Sequence, residues 1–278
     1  MKIVITGSRG FIGEATVQAA LAAGHEVVHF DHANGYDIRS HYDVVNLIGY
    51  GVDWVIHLAG LLGTAELFDD PEAAVDVNII GALNIIKHCA DVGIGFTAIT
   101  MPPVFPSIYT ATKMCADRLA TAYHLARGLK TSSVTAYNAY GAGQKHGHGH
   151  PQKIIPTFAV EAWANRPIPI WGDGEQTVDL IHVDDIAQVL VDATRYGNNE
   201  VFDAGCGFPL TVNQVAEFVI DATGSTAGVQ YMPMRSGEVP TKIVAMNPPN
   251  LDFAGLDPRE AQYAQLTATI NSYKPEAA

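Results

Sequence analysis

The chain has 278 residues, 48% of them hydrophobic and 16% charged, and a formal net charge of −13. This composition can fill a globular core, and its acidic balance argues against nucleic acid or an anionic membrane as the main partner. No apolar run is expected to be long enough to cross a bilayer and no signal-peptide pattern is seen. The three scattered cysteines, Cys89, Cys115 and Cys206, read as reduced thiols of a cytoplasmic protein.

Residues 2–5, Lys-Ile-Val-Ile, are an apolar β-branched run of the kind found in strands buried on both faces. Gly7, Gly10 and Gly13 follow, and then a helical pattern with Ile12, Ala15 and Ala19 on one face, ended at Gly24. A second strand over 27–30 ends at Asp31. Strand, glycine turn, helix, strand and acid make the βαβ unit of a dinucleotide site. The glycines let the backbone approach a pyrophosphate, and the free N–H groups at the helix start attract it. Asp31 can accept both hydroxyls of the adenosine ribose and repels a 2′-phosphate, so NAD is expected over NADP.

Asp37 and Ile38 lie where an adenine ring would rest against the sheet edge, and Asp37 reads equally well as the cap of a helix over 40–49. A strand over 52–58 runs into Ala59-Gly60, small enough to lie under a cofactor, and His57 is expected to be a packed core histidine. Asp69-Asp70-Pro71 opens a helical stretch, and 78–90 reads as a mostly apolar helix. After a strand over 96–100, the run from Met101 to Pro106 must be a loop at the sheet edge, where α/β proteins build active sites. Ser107 can cap the next helix, on which Tyr109 and Lys113 stand on one face. A lysine so placed can reach a nicotinamide ribose and draw the phenol from about 10 toward working pH, where it exchanges protons with a substrate hydroxyl.

Further strands are predicted over 131–137 and 201–204, and an extended piece over 168–171. Helices are predicted over 155–165, over 186–194 behind the capping acids Asp184-Asp185, and over 212–223 behind a Thr211/Gln214 capping box. The stretch 141–151 is rich in glycine and histidine. Its alternating histidines suggest a metal site; with no Cys or carboxylate interleaved, a mobile loop covering the substrate is preferred and no metal is expected. From Tyr231 onward, with five prolines between Pro233 and Pro258, the tail is expected to be irregular and part of a small lobe.

Taken together, the chain resembles the extended short-chain dehydrogenase/reductase family in its NAD-dependent epimerase/dehydratase branch. The resemblance rests on TGSRGFIG at 6–13, Asp31, Asp37-Ile38, HLAG at 57–60, Asn78 and YTATK at 109–113. It continues through YNAYGAGQ at 137–144, WGDGEQTVDLIHVDDIA at 171–187 and RSGEVPTK at 235–242. It implies a Rossmann-type doubly wound α/β sheet over 1–140, with 173–205 returning to the sheet, and a substrate lobe from 141–172 and 206–278. It implies NAD held by Gly7, Gly10, Phe11, Ile12, Gly13, Asp31, Asp37, Ile38, Leu58, Ala59, Gly60, Asn78, Tyr109 and Lys113. Tyr109 becomes the acid/base and Lys113 its partner, while Asn138 and Arg235 contact the diphosphate of a nucleotide-sugar substrate. A homodimer through the helix after Asn78 and the Tyr109 helix is also implied. Three departures stand out. Met101 occupies the place of the usual Ser or Thr, leaving Thr100 next to it and Ser107 as a weaker stand-in. Pro102-Pro103 replaces the Asp-Glu of dehydratases, and Val178 replaces a phosphate-binding Arg, for which Lys145 or a loop histidine could substitute. The expected function is a nucleotide-sugar epimerase acting at C4. The alternatives are an NAD-dependent dehydrogenase/reductase and an NAD-binding regulatory protein without turnover.

Overall fold

The computed structural model describes residues 1–275 apart from 103, 148–149, 250 and 252–255. In chain order the elements are β1 (Lys2–Thr6), α1 (Phe11–Ala22), β2 (Glu26–Phe30), α2 (His41–Leu47), β3 (Trp54–His57), α3 (Pro71–Val75), a π-helical segment (Asp76–Gly81) and α4 (Ala82–Val92). Then come β4 (Gly95–Thr100), α5 (Ile108–Arg127), β5 (Thr131–Ala136), β6 (Asn138–Tyr140), α6 (Ile154–Trp163), β7 (Ile168–Trp171), β8 (Thr177–Val178) and β9 (Leu180–His182). The chain ends with α7 (Val183–Ala193), β10 (Asn198–Ala204), β11 (Leu210–Thr211), α8 (Val212–Thr223), β12 (Val229–Met232) and α9 (Pro258–Ser272).

Six parallel strands form the main sheet in the order β10-β5-β4-β3-β1-β2. Strand alternation divides the apolar side chains between the two faces. Val4, Val55, Phe96 and Ala98 pack on α2, α4 and α5. Ile3, Ile5, Trp54, Ile56 and Ile99 pack on α1 and α7. The strand order reverses at β1, which lies between β2 and β3. The crevice above the ends of β1 and β3, at the register pair Thr6–His57, is the position where doubly wound sheets bind ligands.

Of residues 173–205, only β10 returns as a strand, and α7 packs beside it. Residues 177–182 instead pair outside the main sheet, β8 with β11 and β9 with β6. The smaller lobe has its own core, where Phe158, Ile168, Ile170, Val215 and Val219 meet Leu266 and Ile270 of α9. The tail is therefore not irregular throughout. Pro258, the last of those five prolines, is at the first turn of α9 behind the cap Asp257, where a missing N–H costs nothing. Asp179, fully buried, ties the lobe together: its carboxylate accepts N–H bonds from Cys206 (2.7 Å), Gly207 (3.0 Å) and Ala245 (2.8 Å).

Two local expectations are corrected. Asp37 does not cap α2; Ser40 does, accepting the Asp43 N–H, while Asp37 is taken up by Arg39. The cap of α7 is His182, not Asp184 or Asp185, which stand in its first turn. One helical run, Pro71–Val92, is long and apolar enough by length and composition to cross a bilayer, against expectation. Its apolar side chains Ile85, Ile86 and Cys89 are buried against the sheet, which accounts for its mean hydropathy.

Candidate functional site

The glycine turn leaves no room for side chains. Gly7 has φ +68°, and a Cβ there would come within 2.8 Å of the Ala59 nitrogen. A Cβ on Gly13 would lie 2.0 Å from the Gly7 carbonyl oxygen, and the Gly10 N–H donates to that same oxygen at 3.0 Å. Gly10 caps α1 with no side-chain acceptor, so the first N–H groups of the helix face the crevice beside Phe11 and Ile12. Asp31 is held at the mouth of the turn by N–H bonds from Arg9 and Ala33, both 2.8 Å. Its remaining lone pairs suit ribose hydroxyls. Asp37 forms a two-toothed ion pair with Arg39 (2.7–3.0 Å), and that bond holds its carboxyl below the usual range. Ile38 is buried against Gly81, which leaves only its backbone to meet a ligand.

The end of β3 hangs on one hydroxyl. Thr6 Oγ1 accepts the N–H groups of Leu58 and Ala59, both at 3.1 Å, so its own proton goes to His57 Nδ1 at 2.8 Å. The ring proton of His57 is then on Nε2. Burial, and then the nearby Lys113 charge, push this imidazole down to about 3, the behaviour expected of a core histidine. Gly60, Asn78 and Lys113 converge beyond it: a Cβ on Gly60 would lie 2.8 Å from Asn78 Oδ1 and 3.3 Å from Lys113 Nζ. The π-helical segment turns Asn78 inward. Its Oδ1 accepts the Leu61 N–H (2.7 Å), and its Nδ2 donates to the Leu61 carbonyl (3.1 Å) and to Thr112 Oγ1 (3.0 Å). The Asn78 amide is thus occupied in fastening the β3 loop to α5.

On α5, Ser107 forms a reciprocal capping box with Thr110: its Oγ accepts the Thr110 N–H and its own N–H donates to Thr110 Oγ1. Thr100 continues the alternation of Phe96 and Ala98 and so lies on the α5 face of the sheet; among the described residues its hydroxyl has no partner. The charge states differ from expectation. Lys113, only 4% exposed, is pushed down to about 8 by burial, and burial pushes the Tyr109 phenol up to about 12. Desolvation disfavours the charged form of each group, and here it outweighs the attraction that would have lowered the phenol.

In the lobe, Asn138 Oδ1 accepts the Asp179 N–H at 3.2 Å, and among the described residues its Nδ2 has no partner. Arg235 lies over the Trp171 ring, 5.5 Å from its centroid, and pairs with Glu238. Val178 is buried in the lobe core opposite Leu210, and its apolar side chain offers no donor to a phosphate. Lys145 is exposed; Lys153, at the N-terminus of α6, is the cation that feels the charges of Arg235 and Glu66. The start of the histidine-rich loop is anchored, because the Tyr273 hydroxyl bonds the carbonyls of Gly141 (3.2 Å) and Gln144 (3.1 Å). His148 and Gly149 of that loop, like Pro103, lie outside the described residues. Among the described residues no group of three or more His, Cys, Asp or Glu is gathered as for a metal.

Residues 3–205 match the profile of the NAD dependent epimerase/dehydratase family. The chain belongs to that family. A UDP-glucuronate 4-epimerase of Thermodesulfobacterium geofontis is 28% identical over 279 residues, covering 85% of each chain. A UDP-glucose 4-epimerase of Mycolicibacterium smegmatis is 24% identical, covering 86% of this chain and 88% of its own. The crystal structure of Thermus thermophilus UDP-glucose 4-epimerase in complex with NAD superposes with a TM-score of 0.82 over all of both chains, at 21% identity. The cofactor of this epimerase/dehydratase chain is NAD, and the crowded glycine turn, the uncapped α1 and Asp31 fit it. Thr64, Lys153, Trp171 and Glu238 were not singled out from sequence. Trp171 and Glu238 left a trace there, one opening the motif at 171–187 and the other lying three residues after Arg235.

The buried amine has a measurable consequence. The unfolded chain keeps the Lys113 proton up to 10.5, the folded chain only to about 8. Below about pH 8 the folded state therefore carries a destabilising buried charge, and stability is gained as pH rises from about 8 toward 10.5. Lys113→Met should make the NAD-free protein more stable at neutral pH, by about 1–3 kcal/mol, with the advantage shrinking toward pH 10. Thermal unfolding across pH checks this, and a variant no more stable than wild type at neutral pH contradicts it.

Proposed function

We propose that the protein is an NAD-dependent epimerase of a nucleotide-activated sugar, acting at C4. The observation that carries this reading is the convergence of Gly60, Asn78 and Lys113 beside the helix that bears Tyr109. Bound NAD supplies a reversible hydride acceptor. Tyr109 takes the proton of the 4-hydroxyl as its carbon is oxidised and returns it after the 4-keto sugar has turned over. Lys113 favours the tyrosinate and holds the nicotinamide ribose. Thr100 donates to the reacting oxygen, the task that Met101 cannot perform. Asn138 Nδ2 and the guanidinium of Arg235 hold the diphosphate. Elimination of water is not part of the proposal, since Pro102-Pro103 supply neither acid nor base. The reading includes a homodimer through α4 and α5, in keeping with the exposed Val92 on α4 and Leu125 on α5.

Incubation with NAD and UDP-sugars should yield the 4-epimer without net change in NADH absorbance, and Tyr109→Phe should lower kcat by about 100-fold or more. Steady accumulation or consumption of NADH would instead identify a dehydrogenase/reductase, and absence of turnover a regulatory protein.

Lys153 supplies the second phosphate contact in place of Val178. Burial, and after it the Arg235 charge, lower its pKa against the pull of Glu66. Lys153→Met should raise KM for the nucleotide sugar by about 10-fold with less effect on kcat, the size of one charge-assisted hydrogen bond. In the wild type, affinity should fall with rising pH below the range of an ordinary lysine. Unchanged KM in the variant excludes the contact.

A further inference from the structure

Among the described residues one side-chain hydrogen bond links the loop after β3 to the lobe. Thr64 Oγ1 donates to Glu238 Oε1 at 2.6 Å. Glu238 in turn grips one edge of Arg235: Nε donates to Oε2 at 3.0 Å, and Nη2 bonds Oε1. The side chains of Arg235 and Glu238 are 26% and 11% exposed. The Trp171 ring supports the guanidinium from another side. A guanidinium has five donors, so this pairing leaves Nη1 and the second Nη2 proton for an anion. Glu238 therefore orients Arg235 without blocking it. A carboxylate bound only to arginine could swing to the free edge, where it would repel a phosphate. The Thr64 hydroxyl holds it back.

The loop that carries Thr64 is fastened at Leu61. Gly63 before it has φ +128°, and a Cβ there would come within 2.7 Å of Glu66 Oε2. Leu61 is held through both its N–H and its carbonyl by Asn78, which also bonds Thr112, the neighbour of Lys113 on α5. A chain of short connections therefore runs from the helix of the acid/base pair to Arg235.

We infer that Thr64 and Glu238 form a latch that positions Arg235 for the diphosphate of the substrate. Thr64 is a positioning residue for nucleotide affinity, although it lies in the half of the molecule that holds the cofactor. The inference rests on the nucleotide-sugar reading above, in which Arg235 touches the diphosphate.

The test titrates UDP alone into the NAD-loaded protein by calorimetry. Arg235→Met examines the underlying reading: UDP affinity should fall by about 10-fold or more, and an unchanged affinity removes both that reading and the latch. Given that loss, Thr64→Val should weaken UDP binding by about 5–10-fold with NAD affinity unchanged, and Thr64→Ser should restore it. Adding Thr64→Val to Glu238→Gln should change affinity by less than about twofold, because the hydroxyl acts only through that carboxylate. UDP affinity unaltered in Thr64→Val overturns the latch. So does a joint loss of UDP and NAD affinity that serine does not rescue, which would mark Thr64 as a merely structural residue.

Discussion

The site depends on how closely the ends of β1 and β3 approach one another. Gly7 meets Ala59 backbone to backbone, and Thr6 Oγ1 gathers two N–H groups from the end of β3 while donating to His57. This contact closes the topological switch point and sets where the loop after β3 begins. Everything further along the loop follows from it: Gly60 under Lys113, Leu61 on Asn78, Thr64 on Glu238. A side chain at Gly7 or Gly13 would force strand and helix apart. The same crowding that makes room for a pyrophosphate thus builds the track that leads to the lobe.

Burial acts on both members of the proton-handling pair in the direction of neutrality. The phenol is raised and the amine lowered, so the NAD-free site resists the charge separation that the proposed reaction needs. An oxidised nicotinamide brings a positive charge to this pocket, and a cation beside a phenol favours its ionised form. The desolvated pair is therefore poised to respond to the cofactor's charge, and in water it would respond far less.

Much of this was legible in the sequence because backbone constraints leave few options. Gly7, Gly10 and Gly13 mark close approaches that admit no Cβ, and Tyr109 and Lys113 share a helix face by spacing alone. The cap at Ser107 and the capping box at Thr211 were equally readable, since the partners are local. What could not be read joins distant parts of the chain or depends on burial. Thr64 and Glu238 are 174 residues apart. The pKa of Tyr109 depends on desolvation, which spacing does not reveal. Asp37 looked like a cap because acids often are, and Arg39 two residues later proved the stronger partner. The tail was misjudged because its prolines were counted as breakers, although Pro258 starts a helix.

The central claim is that the hydride taken from C4 is kept by the protein and returned to the same carbon. Turnover of a UDP-sugar in D2O tests this most directly, with the product examined by NMR. The account predicts the 4-epimer with no deuterium bound to carbon. Deuterium at C4 of the epimer would contradict it, because inversion would then proceed by exchange of a carbon-bound proton with solvent.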